Sequence, residues 1–393
     1  MSIMPKVLEG EKVSSSFALR GRAGTVSIQK LDRYRTAVAQ VKPTLQTVAE
    51  AVGVSRSTVS NAYSRPDQLS PELRARILEA ARRLGYSGPD PAARSLRKGR
   101  VGAIGVLFSA ELSFAFTDPY AVQFLRGLAE TAEKHGTGLL LIPLSGDGGE
   151  ATVREALVDG FCAYCVPDWH PSLDVIADRR LPMVYAEWRQ EVGLGELVVG
   201  IDDVAAAREA GRHITAMGHR RIAVIAHWIG REPHDGPVEL TRPEDAPHHV
   251  TRERLMGYRD ALAEAGVDWA EVTTVSAARN SREGGARAAA FALDRAPRPT
   301  AILAAADLLA LGVLDALQDR GLRSGRDVSV VGFDDIPEAA AARLTTIRQP
   351  ALDKGRIAGR LLLEPPDKSE ERQVVLPTQL IVRATTGPVP NGG

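Results

Sequence analysis

Between Ser55 and Asn61 the chain places Arg56, Ser57, Thr58, Ser60 and Asn61 within two helical turns. These side chains suit nucleic acid. Arginine can donate twice to O6 and N7 of guanine, asparagine can pair with N6 and N7 of adenine, and hydroxyls suit phosphate oxygens. Other reactive groups are less promising. Cys162 and Cys165 form a lone CxxC in the run FCAYCVPD. Their odd offset puts them on opposite faces of a strand, so a buried core pair is expected rather than a redox pair. His227, His234, His248 and His249 fall in a long Gly- and Pro-rich loop without the spacing of helical metal ligands, so solvated loop histidines are expected and no metal site. The glycines of VGAIGVLF lie within a strand instead of after it, so no dinucleotide phosphate loop is formed, and no Ser, His and Asp set stands in a nucleophile-elbow context. Neither a cofactor nor a catalytic residue is expected.

The elements that must hold Arg56 and Asn61 are sharply punctuated. Thr44 can cap a helix over 45–52 whose apolar stripe is Leu45, Val48, Ala49 and Val52, with Gly53 at its end. Ser55 caps a second helix over 56–63, with Val59 and Ala62 inward. Ser70, Pro71 and Glu72 supply cap, first-turn proline and first-turn carboxylate for a third, whose stripe is Leu73, Ile77, Ala80, Ala81 and Leu84. Ala49, Gly53 and Val59 stand at i, i+4 and i+10: a small residue where two helices touch, a glycine for the turn, and an apolar residue packing back. This is helix-turn-helix spacing, which presents the second helix to a major groove.

Charge agrees. The 393 residues carry 49 basic and 49 acidic side chains, but residues 1–100 hold 18 basic and 8 acidic, a net of +10, leaving −10 for the remainder. A basic front piece on an acidic body is expected when one end meets a polyanion. Residues 1–41 are expected to be a disordered or mis-assigned arm, with 27–40 a candidate helix, and 89–100 (PDPAARSLRKGR) a basic connector. From Val101 onward apolar runs such as VGAIGVLF, TGLLLIPL, LVVGID, RRIAVIAH, TAILAAAD and DVSVVGFDD alternate with amphipathic stretches, which implies βαβ units, parallel sheets and two lobes. No run of 18 apolar residues occurs and the first residues are charged, so a cytoplasmic protein is expected.

The segment TLQTVAEAVGVSRSTVSNAYSRPDQLSPELRARILEAARRLGY with DPAARSLRKGR resembles the DNA-binding headpiece and hinge of the lac repressor (LacI/GalR) family of bacterial transcription regulators. The resemblance continues through GHRRIAVI, TRERLMGYRDAL, AILAAADLLALGVL, DVSVVGFDD, LTTIRQP and VLPTQLIVRATT, over about 350 residues. It implies a small all-α helix-turn-helix headpiece (42–88), a hinge (89–100) and an α/β two-lobed periplasmic-binding-protein-like body with parallel sheets (101–393). The first lobe is expected at about 101–219 and 349–375, the second at about 220–346 and 376–388. Thr44, Ser55, Arg56, Ser57, Thr58, Ser60 and Asn61 would contact DNA. In the hinge, Ala93, Arg94 and Leu96 would do so as well, with Leu96 wedged into the minor groove at a cost of about a few kcal/mol offset by new contacts.

The same resemblance implies a homodimer on a pseudo-palindromic operator, a repressor role, and a small polar effector of the carbohydrate or a similar class between the lobes. Phe116, Asp118, Tyr120, Asp202, Arg254, Asn280, Asp307, Asp334 and Gln349 are the expected effector-binding residues, Arg254 fixing the effector and carboxylates accepting from its hydroxyls. Phe114, Asp203 and Asp335 lie in the same strand-exit segments. Ala306, Asn280 and Ala351 depart from the family pattern and leave the kind of polar molecule open. The alternative reading is a DNA-binding regulator whose body only dimerises.

Overall fold

The computed structural model describes residues 43–88, 99–109, 111–144, 149–188, 193 and 195–390, which fall into two compact units, the headpiece and the body. The arm through Val41 and the hinge residues Ala93, Arg94 and Leu96 lie outside the described residues.

In the headpiece, α1 (Leu45–Val52), α2 (Arg56–Ser64) and α3 (Pro71–Leu84) start and stop where the sequence provides caps. Thr44 Oγ1 accepts from the Thr47 amide at 3.3 Å, Ser55 Oγ from Thr58 at 3.1 Å and Ser70 Oγ from Leu73 at 3.2 Å. Gly53, at φ 73°, lies in the left-handed region, where a side chain would be strained, and donates its N–H to the Ala49 carbonyl. Val48, Ala49, Val59, Ala62, Ile77, Ala80 and Ala81 form the small core.

The body begins with β1 (Ala103–Phe108), α4 (Phe114–Thr117), α5 (Pro119–Lys134), β2 (Gly138–Pro143), α6 (Gly149–Glu155), β3 (Gly160–Tyr164), α7 (Ser172–Arg179), β4 (Met183–Tyr185) and β5 (Leu197–Ile201). The chain then crosses to α8 (Asp203–Ala216), β6 (Ile222–His227), β7 (Gly236–Pro237), α9 (His249–Glu264), β8 (Thr273–Ala277), α10 (Arg282–Leu293), β9 (Ala301–Ala304), α11 (Asp307–Asp319), β10 (Ser329–Asp334), α12 (Pro337–Ala341) and β11 (Thr345–Arg348). It returns as α13 (Ala351–Leu363) and β12 (Gln373–Leu376) and crosses a last time to β13 (Gln379–Ile381).

Among the described residues the first sheet runs β12-β5-β4-β3-β1-β2 and the second β13-β11-β10-β9-β6-β8-β7. All pairings are parallel except β11 with β13 and β7 with β8. The inner strands β3, β5 and β9 are wholly buried, as parallel strands covered on both faces require, whereas the edge strands β2, β12 and β13 are partly exposed. Cys162 is a buried β3 residue, while Cys165 follows the strand at φ 50°.

The first lobe ends earlier than 219. Ala206, Ala207, Ala210 and Ile214 of α8 pack with Leu255, Tyr258 and Leu262 of α9 in the core of the second lobe, so the crossing falls between Ile201 and Asp202. Three crossings, after Ile201, Arg348 and Leu376, therefore connect the lobes.

Candidate nucleic-acid interface and ligand cleft

On α2, Val59 and Ala62 are buried while Arg56 and Ser57 are exposed, and Thr58, Ser60 and Asn61 are half-buried. Arg56 has no hydrogen bond or ion pair among the described residues, so its five donors are available. The Ser55 hydroxyl shares hydrogen bonds with Ser57 (2.7 Å) and Thr58 (2.8 Å), which fixes the polar N-terminal edge of the helix. Asn61 Nδ2 donates to Gln68 Oε1 at 3.3 Å, so its amide is oriented from within the headpiece. Thr44 is exposed at the start of α1.

A cavity of about 660 Å³ lies between the lobes of the body. Strand exits supply its walls, as open α/β sheets require. Of the residues expected there, Asp118, Tyr120, Arg254, Asn280, Asp334 and Gln349 line it. Asp118, at the N-terminus of α5, accepts from the Tyr120 amide at 3.0 Å. Burial, with Asp334 facing it from the other lobe, pushes its pKa up to about 7. Arg254 is nearly buried. It donates to Asp203 Oδ1 at 2.8 Å and to the Ala305 carbonyl at 2.6 Å, and lies 3.8 Å over the Phe333 ring. Burial would depress its pKa, but Asp203 and Asp334 raise it. Asn280 Oδ1 is buried with no partner among the described residues. An acceptor in that position calls for a donor from a ligand or from water.

Three expected residues are elsewhere. Phe116 is 64 % exposed on α4 and off the cavity wall. Asp202 is the exposed N-cap of α8, accepting from Ala205 N at 2.8 Å. Asp307 is fully buried outside the lining, accepting from Thr346 Oγ1 at 2.6 Å and Ile336 N at 3.0 Å. Burial raises its pKa, and Asp334 nearby adds to the effect. Asp203 is buried with Arg254, and Asp335 holds Arg348 (2.7 Å) and Arg383 (2.6 Å). Both are structural ion pairs.

The loop after β6 corrects the expectation of solvated histidines. His234 is exposed, but His248 and His249 are buried and stack on each other with ring centroids 4.9 Å apart. His248 also faces Trp228 at 5.7 Å, and desolvation holds His227 down at about 3. Trp228 and His248, with Tyr164 opposite, give the cavity aromatic walls that the sequence reading missed. The loop's length gave a signal, but its polar composition masked a packed interior. Cys165, Trp228 and Asp334, all non-glycine residues at positive φ (50°, 59° and 128°), sit on the cavity wall, where local strain is commonly stored at binding sites. Arg279 of the second lobe meets Glu111 of the first at 2.8 Å at the same cavity.

Residues 44–88 match the family described as bacterial regulatory proteins, lacI family, and residues 212–386 match a periplasmic binding protein-like domain. An HTH-type transcriptional regulator of Mycolicibacterium smegmatis is 42 % identical over 356 residues, covering 88 % of this chain and 97 % of the relative. The chain belongs to the LacI family. It is a DNA-binding regulator of transcription, as its LacI-family relatives are, and they are not enzymes. Among solved LacI-family structures, a complex of the regulator CelR with cellobiose is 28 % identical with a TM-score of 0.62, covering 87 % of this chain and 99 % of that one. The lac repressor dimer bound to operator and the anti-inducer ONPF is 26 % identical with a TM-score of 0.66, covering 88 % and 99 %. The headpiece and the two-lobed body with parallel sheets are the architecture of that family. No helix among the described residues is long and apolar enough to cross a membrane.

Proposed function

We propose that this LacI-family chain is a cytoplasmic repressor that binds a pseudo-palindromic operator as a homodimer and responds to a neutral, hydroxyl-rich small molecule, a sugar or sugar-like compound, held between its lobes. The observation that carries the ligand reading is the interlobe cavity itself. Asp118 and Asp334 approach it from opposite lobes, the buried Asn280 oxygen lacks a donor, and Trp228 offers an apolar face. Carboxylates and amide oxygens accept from hydroxyls, and an aromatic face covers the C–H side of a sugar ring. Burial raises the pKa of both Asp118 and Asp334, and repulsion from Asp334 raises Asp118 further, so the pair is stabilised by hydroxyls that bridge it and is poorly matched to an anion. A molecule bound to both lobes prefers one lobe arrangement, and that differential affinity is what allosteric control of operator binding requires. The cellobiose-bound relative supports the class of ligand, and the operator-bound dimer supports the mode of DNA binding.

In this reading Arg56, Ser57 and Asn61 read bases and Thr44, Ser55, Thr58 and Ser60 contact phosphates, while Ala93, Arg94 and Leu96 form the minor-groove hinge. Asp118, Tyr120, Arg254, Asn280, Asp334 and Gln349 hold the effector. Phe116, Asp202 and Asp307 are dropped from that set because they do not reach the cavity. The test is a thermal-shift screen against neutral sugars, polyols, sugar phosphates and sugar acids, followed by operator titration with and without each hit. The operator comes from a selected duplex library. We expect hits among the neutral compounds, a changed operator affinity in their presence, and two chains per duplex by sedimentation. Unchanged melting and operator affinity across the panel would leave the body as a dimerisation unit alone.

A further inference from the structure

The segment after α2 is anchored at both ends. Arg65 N donates to the Asn61 carbonyl at 2.9 Å, Pro66–Gln68 forms a short 3-10 turn, and Leu69 packs against the headpiece core. Pro66 opens that turn with its φ locked, and Gln68 N donates to the Arg65 carbonyl at 3.1 Å. The Gln68 side chain therefore leaves from a fixed backbone beside α2. Gln68 is exposed and Asn61 half-buried, and their side chains meet where Asn61 Nδ2 donates to Gln68 Oε1 at 3.3 Å.

A carboxamide has two unlike ends. Its oxygen only accepts, its nitrogen only donates, and the torsion that exchanges them is broad and roughly two-fold. Left alone, Asn61 would sample both orders. Adenine accepts one of them, since its N6 amino group needs an acceptor and its N7 a donor. We propose that Gln68 is a positioning residue for DNA reading: on the function proposed above, in which Asn61 reads a base, Gln68 fixes the donor and acceptor order that the Asn61 amide offers. With one Nδ2 hydrogen held by Gln68, the oxygen and the second hydrogen of Asn61 have settled positions before DNA arrives. Such preorganisation lowers the ordering cost of binding, and the contact strengthens when bound DNA displaces water and lowers the local dielectric.

For the test, the full-length protein selects its operator from randomised duplexes, and binding to single-base variants of that operator gives the preference at each position. Asn61→Ala is expected to flatten one position per half-site by about fivefold or more, which identifies the base pair it reads. At that position Gln68→Leu, which offers no acceptor, is expected to lower the preference about threefold or more. Gln68→Glu keeps the acceptor and hence the preference, while its charge opposes phosphate and weakens all sequences alike. Gln68→Lys can only donate, so it turns the amide over, and the preference is lost there although overall binding strengthens. The reverse ranking, with Lys preserving the preference and Glu losing it, overturns the proposal, because Gln68 would then donate to DNA directly. An unchanged preference in Gln68→Leu also overturns it. If Asn61→Ala leaves every position unchanged, the base-reading role of Asn61 fails and the positioning role with it, so the Asn61 variant separates the two failures.

Discussion

Arg56 projects from the exposed face of α2 with no partner among the described residues, so shortening it removes no described contact of the headpiece. Arg56→Ala is therefore expected to leave folding intact while costing about 1–3 kcal/mol at one operator base pair and relaxing preference there. Titration against single-base operator variants checks it, and uniform weakening across all variants would instead mark a phosphate contact. Asn61 is less free, because Gln68 already takes an amide hydrogen. At this scale the sequence revealed most of the cleft. Asp118, Arg254 and Gln349 were legible through the family resemblance, which places effector contacts in the segments after the strands and an arginine at position 254. Asp202 and Asp307 were misplaced because an aspartate at a strand exit reads alike whether it caps a helix, binds its own fold or faces a ligand. Only burial and partners separate those cases. Trp228 and the stacked histidines were illegible because loop packing leaves no periodic trace.

Among the elements, helix pairs in the body approach closely through small residues. A Cβ on Gly355 of α13 would strike the Phe124 carbonyl of α5, and one on Gly127 of α5 would strike that of Leu352. Backbone cannot yield as a side-chain tip can, so Gly355→Ala is expected to destabilise the first lobe by about 1–3 kcal/mol or more. Thermal or urea unfolding reads this directly, and an unshifted midpoint would mean that the helices separate at no cost. The headpiece helices were readable to within one residue, since the caps and apolar stripes, and in α1 and α3 a terminal glycine, each carry their own mechanism. The lobe boundary was not. Nothing in the sequence of α8 says which sheet it covers, because its alanine-rich stripe would suit either.

For the molecule as a whole, the body encloses carboxyls that resist ionisation. Desolvation, with Asp203 nearby, pushes Glu253 up to about 8, and Asp118 stands at about 7. The Asp307–Asp334 pair is also raised by burial. A carboxyl with a higher pKa in the fold than in the unfolded chain binds extra protons in the fold between those values, so stability falls as pH climbs through that window. Histidines held low by burial, His227 at about 3 with His213 and His219, act in the opposite sense, but only below their unfolded value of 6.5. The unfolding midpoint should thus decline from about pH 6.5 to about pH 8, and less steeply in Glu253→Gln. Melts at matched ionic strength test this, and a flat or rising midpoint would contradict it. The zero net charge of the chain conceals the same division of labour, with basic residues gathered at the end that meets DNA and acidic ones in the body.

The three crossings also impose an order on synthesis. The first sheet lacks its edge strand β12 until residue 376 has been made, and α5 lacks its partner α13 until residue 363. Neither lobe can close while most of the chain emerges from the ribosome, whereas the headpiece is complete by Leu84. A nascent chain therefore carries a finished DNA-binding headpiece long before its body is complete.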